Sequence, residues 1–420
     1  MRFFVAICLS LEVAIAAARL ENRQTLANIP DFVTKYAPLV YLDENEIYLP
    51  SDIQAQLTNT YPALNFTQLP KADVPSPLDL SDLEQLNIQG NCGEDFDACP
   101  IYLTSKINAA TYPPWLNGVL PDPVTGETVG ATSCAIILND HGNGIVDVYY
   151  MYFYAFNLGD NIYGQLLGNH VGDWEHSMVR FQNELPISVW LSQHEYGQAF
   201  TYDALSKQGV RPIIYSALGG HPNYAVPGIH SREVAIILVN DTTSAGPLWD
   251  PTLSAYFYSY TPFSDENENG TFVGSEGTTP VGWLNFEGRW GDEQYPDSDP
   301  RQVNYLNASI AWEWETGPTG PLDKDLNRTD VCPSASGTPC VTLTVLPASS
   351  GSSVPVTITR TTSTQSSVPT GTGGGSSRSS SAGSTGTSTG AAATHTGAAV
   401  SLNINIGLGL WGAVVALVIL

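Results

Sequence analysis

Residues 168–176 read Gly-Asn-His-Val-Gly-Asp-Trp-Glu-His, and this stretch places two imidazoles and two carboxylates within seven positions. Further histidines follow in Gln193-His-Glu195 and Gly219-Gly-His221, so that six of the seven histidines of the chain fall between His141 and His230. Imidazoles and carboxylates at this density indicate either a site that binds a metal ion or moves protons, or a buried polar network that ties loops to a sheet.

The stretch belongs to a series of short apolar runs that are rich in β-branched and aromatic residues and are separated by Gly, Pro or Asn. Such runs are typical of strands. The predicted strands are Cys134–Leu138, Ile145–Phe156, Trp174–Phe181, Ile187–Gln193, Arg211–Ala217 and Glu233–Val239, with weaker ones at Trp283–Phe286 and Ala311–Trp314. The sequence therefore predicts a mainly β protein, a twisted antiparallel β-sandwich with long irregular loops.

Two local patterns refine this prediction. Both faces of the run 145–156 are apolar or aromatic, so we expect this strand in the middle of a sheet. Residues 80–86 follow Asp79 and predict a short helix in an otherwise irregular region.

The alternation of side chains along a strand sorts the central stretch into two faces. Asp173 and Glu175 point to one face, whereas Trp174 and His176 point to the other. We expect His170 to fold back towards the two carboxylates from beyond Gly172.

Two more histidines are expected to join from loops, His194 at a strand end and His221 after two glycines. Converging carboxylates and imidazoles suit a divalent metal such as zinc or manganese, and they also suit acid–base chemistry. The candidate metal ligands are His170, Asp173, Glu175, His194 and His221. The alternative is a structural hydrogen-bonded network, and no HExxH, GxSxG or Walker motif decides between the two.

Both ends of the chain carry the composition of targeting signals. Residues 1–18 combine Arg2, an apolar run and a small-residue ending, which predicts a secretory signal peptide. Residues 398–420 end in an uncharged apolar tail behind a small-residue spacer, which predicts a glycosylphosphatidylinositol (GPI) anchor signal rather than a transmembrane helix. The Ser/Thr/Gly-rich residues 348–397 between core and tail predict a disordered stalk. Residues 19–347 remain as one β-rich ectodomain.

Charge, sequons and cysteines all fit an extracellular glycoprotein. The net charge of −25, with all 41 Asp and Glu at or before Asp330, argues against a nucleic-acid partner. After loss of Cys8 with the signal peptide, the spacings predict local disulfides Cys92–Cys99 and Cys332–Cys340 and leave Cys134 as a buried free thiol. The candidate glycosylation sites are Asn65, Asn240, Asn269, Asn307 and Asn327.

Two other stretches combine tryptophan with acidic residues and turns, Phe286–Asp292 and Trp312–Pro321. They predict either an aromatic platform for a sugar, such as a cell-wall glycan, or tryptophan packing over a sheet end.

Four stretches together resemble one family: 170–176, Ser192-Gln-His-Glu195, Arg211–Ala217 with Gly220-His221, and Gly317–Pro321. The resemblance, over about Tyr36 to Cys332, is to the fungal vacuolar protein sorting-associated protein 62 family, whose relatives include plant proteins of unknown function. It implies a role in delivering proteins to the vacuole and no assigned catalytic residues.

The expected function is accordingly that of a secreted or cell-surface, GPI-anchored glycoprotein of this family, joined to the membrane through its lipid anchor. Two alternatives stay open: a metal-dependent extracellular hydrolase that uses the His/Asp/Glu cluster, and a carbohydrate-binding surface protein. The vacuole is the alternative location.

Overall fold

A computed structural model describes residues 29–347, apart from 94–97, 163, 195, 235–236, 263–269, 306–310 and 335–339. These residues belong to a compact unit that spans Met1–Val356. The predicted signal peptide, stalk and anchor signal lie outside the described residues, as do Asn269 and Asn307.

Strands dominate the described part of the chain, which confirms the mainly β prediction. The strands are β1 Leu39–Tyr41, β2 Thr60–Leu64, β3 Thr67–Gln68, β4 Ile101–Ser105, β5 Cys134–Gly142, β6 Ile145–Asn157, β7 Asp160–Ile162, β8 Gln165–Leu167, β9 His170–Gln182, β10 Leu185–Gln193, β11 Tyr196–Thr201, β12 Lys207–Gln208, β13 Arg211–Ser216, β14 Asn223–Tyr224, β15 Gly228–Val234, β16 Ile237–Thr243, β17 Leu248–Trp249, β18 Ala255–Thr261, β19 Thr271–Gly274 and β20 Thr342–Leu343.

Helices are short and lie between the strands. The α-helices are α1 Asp31–Lys35, α2 Ile53–Asn59 and α3 Asn87–Gly90. Single 3-10 turns occupy Lys71–Asp73, Leu83–Leu86, Ala109–Thr111, Pro114–Asn117, Tyr202–Ala204, Pro251–Leu253, Gly282–Asn285 and Pro321–Asp323.

The central sheet has eight strands in the order β19-β18-β5-β6-β9-β10-β11-β20. Neighbours from β5 to β11 pair antiparallel. Two-residue connections join β5 to β6, β9 to β10 and β10 to β11, whereas the β7–β8 hairpin lies between β6 and β9. Parallel pairing occurs where β18 joins β5 and where β20 joins β11, since both strands arrive through long connections. As predicted, β6 lies inside the sheet and is buried along most of its length.

A second sheet covers one face of the central sheet and completes the sandwich. Its order is β12-β13-β1-β17, with β14 paired to β13. The apolar layer between the two sheets includes Val40, Ile214 and Trp249 from the second sheet and Tyr150, Tyr152, Tyr154 and Val179 from the central sheet.

The opposite face of the central sheet packs against the small three-stranded sheet β3-β2-β4, against α2 and against loops. Its core includes Tyr149, Phe153, Trp174 and Met178 from the sheet and Ile101, Leu103, Trp283 and Trp290 from the covering segments. The two faces of β9 therefore meet different cores, which fixes where its polar side chains can lie.

Four predicted elements differ in the structure. The run 233–239 spans the end of β15 and the start of β16, so it crosses a hairpin rather than forming one strand. The segment 282–285 is a 3-10 turn, and the described residues 311–314 contribute only isolated bridges at Trp312 and Trp314. The predicted short helix at 80–86 begins late, as the 3-10 turn Leu83–Leu86 that continues into α3.

Both predicted local disulfides are present. Cys92 is bonded to Cys99 and Cys332 to Cys340, while Cys134 is a buried free cysteine. Burial raises the pKa of the Cys134 thiol well above its ordinary value, so that it stays protonated and unreactive. Within the residues described above, no helix is both long and apolar enough to span a membrane.

Candidate functional site

The centre of β9 presents two buried carboxylates to the sandwich interior. In register with β6, Asp173 lies opposite Tyr154 and Glu175 lies opposite Tyr152. Only 6% of Asp173 and 5% of Glu175 is exposed to solvent. Buried carboxyl groups are costly unless they are hydrogen-bonded, paired or neutral, so their partners decide what this region can do.

His221 reaches Asp173 from the loop that follows β13. Gly219 turns the chain with φ +80°, and a Cβ at this position would approach the carbonyl oxygen of Leu158 to 2.8 Å. His221 itself has φ +60°, in the left-handed region that few residues other than glycine adopt. Its fully buried ring places Nδ1 at 2.8 Å from Asp173 Oδ2 and Nε2 at 2.8 Å from the carbonyl oxygen of Tyr48.

These two partners determine the protonation state of His221. A backbone carbonyl and an ionised carboxylate can only accept hydrogen bonds, so both ring nitrogens donate and the ring is an imidazolium. Glu46 Oε2 lies 3.6 Å from Nε2, and the Tyr154 ring stacks on the imidazole with 3.7 Å between centroids. Burial alone would lower the pKa of His221, but the carboxylates of Glu46 and Asp173 outweigh it and raise that pKa above its ordinary value.

Glu46 ties the N-terminal segment to the same loop. Its Oε1 accepts hydrogen bonds from the amides of Ile47 and Tyr48 at 2.9 and 2.8 Å, and its Oε2 accepts one from the amide of Gly219 at 2.6 Å. The imidazolium and its two carboxylates thus join the N-terminal segment, β9 and the 219–221 loop. We call Glu46, Asp173 and His221 the ionic triad.

Glu175 has a different environment from Asp173. Ser192 Oγ donates a hydrogen bond to Glu175 Oε2, and the amide of His194 donates to Oε1 at 3.4 Å. Burial raises the pKa of Glu175 to about 8, and the neighbouring charge of Asp173 adds to the rise. Glu175 is therefore a neutral carboxylic acid at neutral pH, beside the Asp173 side chain that bonds to His221.

His194 belongs to a second pair at the end of β10. It has φ +56°, and its Nε2 lies 3.3 Å from both carboxylate oxygens of Asp241. Tyr224 donates its hydroxyl to Asp241 at 2.5 Å, and Arg232 Nε donates at 3.2 Å. Burial alone would raise the pKa of Asp241, but the hydrogen bonds and the charge of its partners hold that pKa below its ordinary value.

His170 does not join either pair through its ring. Its Nδ1 lies 2.7 Å from the carbonyl oxygen of Gly172, so the ring folds back onto its own strand. The five candidate metal ligands thus divide into Asp173 with His221, Glu175 with the His194 amide, and His170 alone. Within the described ranges, no group of three or more His, Cys, Asp or Glu side chains is placed to hold a metal ion.

His176 points to the opposite face of β9, as the alternation requires. Its Nε2 lies 2.8 Å from a terminal guanidinium nitrogen of the buried Arg328. Because the guanidinium can only donate, Nε2 is the acceptor and the ring is neutral. Burial lowers the pKa of His176 well below its ordinary value, and the charge of Arg328 adds to this effect.

Several important partners could not be found from the motif. Glu46 and Tyr48 lie 173 and more positions away from the residues they bind, and Asp241 lies 47 positions from His194. Glu46 stands in an acidic turn and Asp241 in a sequon, where a carboxylate is normally a surface residue. In the sequence, only the glycine pair Gly219-Gly220 indicated that the chain turns sharply before His221.

The interpretation of the tryptophan-containing stretches as an aromatic platform does not fit the tryptophans that the structure buries. Trp283, Trp290 and Trp314 are 0%, 0% and 3% exposed, so they are core side chains. Trp174 stacks on Trp283 with 5.6 Å between ring centroids and meets Trp290 edge-on at 5.3 Å. Trp packing over the sheet, the alternative interpretation of these stretches, is what the structure shows.

A family model and several known proteins are similar to this chain. The family model described as vacuolar protein sorting-associated protein 62 matches residues 137–307, which include most of β5, all of β6 and β9, the ionic triad residues Asp173 and His221, and Asp241. The solved structure of a necrosis and ethylene inducing protein from the agent of cocoa's witches' broom disease overlaps 55% of this chain and 74% of its own. Its identity is 13% and its TM-score 0.23.

Two Saccharomyces cerevisiae proteins are much more similar in sequence. The chain is 35% identical over 336 residues to the vacuolar protein sorting-associated protein named TDA6, covering 73% of this chain and 69% of the relative. It is also 35% identical over 326 residues to vacuolar protein sorting-associated protein 62, covering 73% and 68%. The chain therefore belongs to the vacuolar protein sorting-associated protein 62 family.

Proposed function

We propose that this protein is a GPI-anchored glycoprotein of the secretory pathway that acts at the cell surface or vacuole in the delivery of proteins to the vacuole. Membership of the vacuolar protein sorting-associated protein 62 family supports the sorting role. The observation that supports a location in the secretory pathway is the pair of disulfides, Cys92–Cys99 and Cys332–Cys340. Such bonds form and persist in oxidising compartments and are rare in the cytosol.

The positions of the sequons support N-glycosylation. Asn65, Asn240 and Asn327 are the sequons within the described residues, and all three asparagines are exposed. Asn65 occupies a turn between β2 and β3, where an attached glycan meets no strand partner. The strongly acidic charge of −25 supports a partner other than nucleic acid or a bare anionic membrane surface.

Release by phosphatidylinositol-specific phospholipase C is expected if residues 398–420 direct anchor attachment. The physical reason is that the lipid anchor would be the protein's connection to the membrane, and the enzyme cleaves it. Membranes from cells that produce the full chain are treated with the enzyme and then centrifuged, and the protein is expected in the supernatant. Retention in the pellet, while an anchored control protein is released, would show a spanning tail instead.

The sorting role is tested in fungal cells that lack this protein. A soluble vacuolar hydrolase is expected to appear in the medium at several times its normal level, and the full chain supplied on a plasmid is expected to restore retention. An unchanged distribution of vacuolar hydrolases in the deficient cells would contradict the proposed function. A cytosolic marker measured in the same medium excludes cell lysis as the source.

One observation favours a second candidate, an acid–base site. Glu175 is a buried acid with a raised pKa, and the amide of His194 bonds to it while the His194 ring pairs with Asp241. The His194 side chain is 26% exposed, so a substrate would meet it first. Hydrolases use acids with shifted pKa values, together with His–Asp pairs, as general acids and bases. If the protein hydrolyses an extracellular substrate in this way, His194→Gln would abolish that activity.

A further inference from the structure

A separate cavity lies away from the ionic triad, where the β2–β3 hairpin meets the end of β4 and the segment 292–301. Its volume is about 250 Å³. Pockets for drug-sized ligands run from about 300 to 1,000 Å³, so this one suits a single small ring. Its lining includes Tyr61, Phe66, Lys106, Asp292, Glu293 and Arg301.

A buried carboxylate, that of Asp292, lines the cavity. Asp292 is 6% exposed, and its Oδ2 accepts hydrogen bonds from the amide and hydroxyl of Ser105 at 3.2 and 2.7 Å. Its Oδ1 accepts one from the hydroxyl of Tyr295 at 3.3 Å. Since two carboxylate oxygens offer about four acceptor positions, one position on Oδ1 remains for a hydroxyl of a ligand.

The hairpin turn holds an aromatic side chain over the cavity in a strained conformation. Asn65 and Phe66 are the two central residues of the turn, and both have positive φ, +49° and +59°. Such turns favour Asn followed by Gly, and a bulky residue with positive φ is uncommon. Phe66 is nevertheless 49% exposed, and its amide donates to Glu293 Oε2 at 3.2 Å. Strain kept for a half-exposed aromatic ring indicates a use for that ring.

The charges around the cavity favour a neutral ligand. Lys106 and Arg301 are cationic and Asp292 and Glu293 are acidic, so the formal charges of these four lining residues cancel. The guanidinium of Arg301 is also held in place, 3.7 Å above the Tyr295 ring and 2.6 Å from Asp299. A neutral ligand with an apolar face and several hydroxyls matches this lining. Its apolar face would meet the rings of Phe66 and Tyr61, and its hydroxyls would meet Asp292 Oδ1 and the guanidinium of Arg301.

We propose that this cavity binds one neutral sugar ring, with its apolar face on Phe66 and Tyr61 and its hydroxyls on Asp292 and Glu293. The ring could come from two sources. One is the N-glycan of the chain itself at Asn65, which adjoins Phe66, and the other is a sugar of a separate glycan. The proposal is independent of the ionic triad and of the sorting role.

The test uses the full-length glycoprotein and three variants, with saturation-transfer NMR and calorimetry against methyl glycosides of glucose, mannose and N-acetylglucosamine. Asn65→Gln removes the attached sugar. Phe66→Gly removes the aromatic face and relieves the turn, so the thermal stability should be kept or rise. Tyr196→Ala is the matched control, because Tyr196 is also an exposed aromatic residue, 68% exposed, in a different hairpin.

Binding of at least one glycoside at millimolar concentration is expected, and Phe66→Gly should weaken it at least tenfold while Tyr196→Ala leaves it unchanged. Binding to Asn65→Gln but not to the wild type identifies the chain's own glycan as the natural occupant. Binding to both identifies a separate glycan. The proposal is overturned if none of the glycosides binds either the wild type or Asn65→Gln, or if Phe66→Gly binds as well as its parent.

Discussion

Replacing His221 with glutamine is expected to lower the free energy of unfolding by roughly 3–5 kcal/mol at pH 7, the usual cost of removing one partner of a buried ion pair. The imidazolium compensates Asp173 at 2.8 Å and Glu46 at 3.6 Å, and both carboxylates are nearly inaccessible to solvent. Glutamine carries no charge, so the two carboxylates would remain buried without their cation. Urea unfolding followed by fluorescence measures this loss.

His230→Gln is the matched control for that experiment. The ring of His230 stacks on Tyr224 with 3.7 Å between centroids and 5° between planes, nearly the geometry of His221 on Tyr154. Its Nε2, however, bonds to the hydroxyl of Thr243 at 3.0 Å rather than to a carboxylate. We expect a loss of about 1 kcal/mol or less from this uncharged contact. Equal losses in the two variants would mean that stacking, and not the ionic triad, stabilises the loop.

The free energy of unfolding is expected to fall between pH 6.5 and pH 8, and Glu175→Gln should remove part of that fall. The folded protein keeps the proton of Glu175 up to about pH 8, whereas the unfolded chain has lost it above its ordinary value of 4.5. His221 acts in the same direction, because its folded pKa is also raised. Each group contributes a slope of up to about 1.4 kcal/mol per pH unit until its folded pKa is passed.

Two histidines change the stability with pH in the opposite direction, but they act below about pH 6.5, so the measurement is made between pH 6.5 and pH 8. The pKa values of His176 and His230 are lowered by burial, so their contribution to stability is lost as the pH falls below about 6.5, where the unfolded histidines take up protons. Glutamine mimics the neutral acid of Glu175 and cannot ionise in the unfolded chain, so the variant should be more stable than the wild type at pH 6.5 and by a larger margin at pH 8. A variant with the same slope as the wild type would mean that Glu175 is ionised in the folded protein.

The sequence predicted the parts of this site that depend on local geometry. The alternation of side chains along a strand was sufficient to place Asp173 and Glu175 on one face and His176 on the other. The pair Gly219-Gly220 was sufficient to predict a sharp turn that brings His221 towards the sheet. The strand predictions are wrong where two paired strands share one apolar run, as in 233–239, and where the buried Trp283 belongs to a 3-10 turn, as in 282–285.

The partners of these residues could not be predicted, because the pairing depends on tertiary packing. Nothing in the acidic turn around Glu46 indicates that its carboxylate accepts the amide of Gly219, 173 positions later. The sequence left open whether the five residues form one metal or acid–base site or a hydrogen-bonded network, and the fold gives the histidines separate partners. Asp173 faces a cation, Glu175 a serine hydroxyl and an amide, and His194 the carboxylate of Asp241.

The central claim is that Asp173 and His221 form a buried ion pair, with both nitrogens of the imidazole protonated, and do not ligate a metal. The most direct measurement is a ¹⁵N NMR spectrum of the histidine side chains at pH 7, in which the His221 signals are identified by their loss in His221→Gln. We predict two protonated ring nitrogens whose shifts do not change when zinc or manganese is added or when a chelator is present. A ring with one unprotonated nitrogen, or shifts that follow the metal concentration, would contradict the ionic triad and restore the metal site.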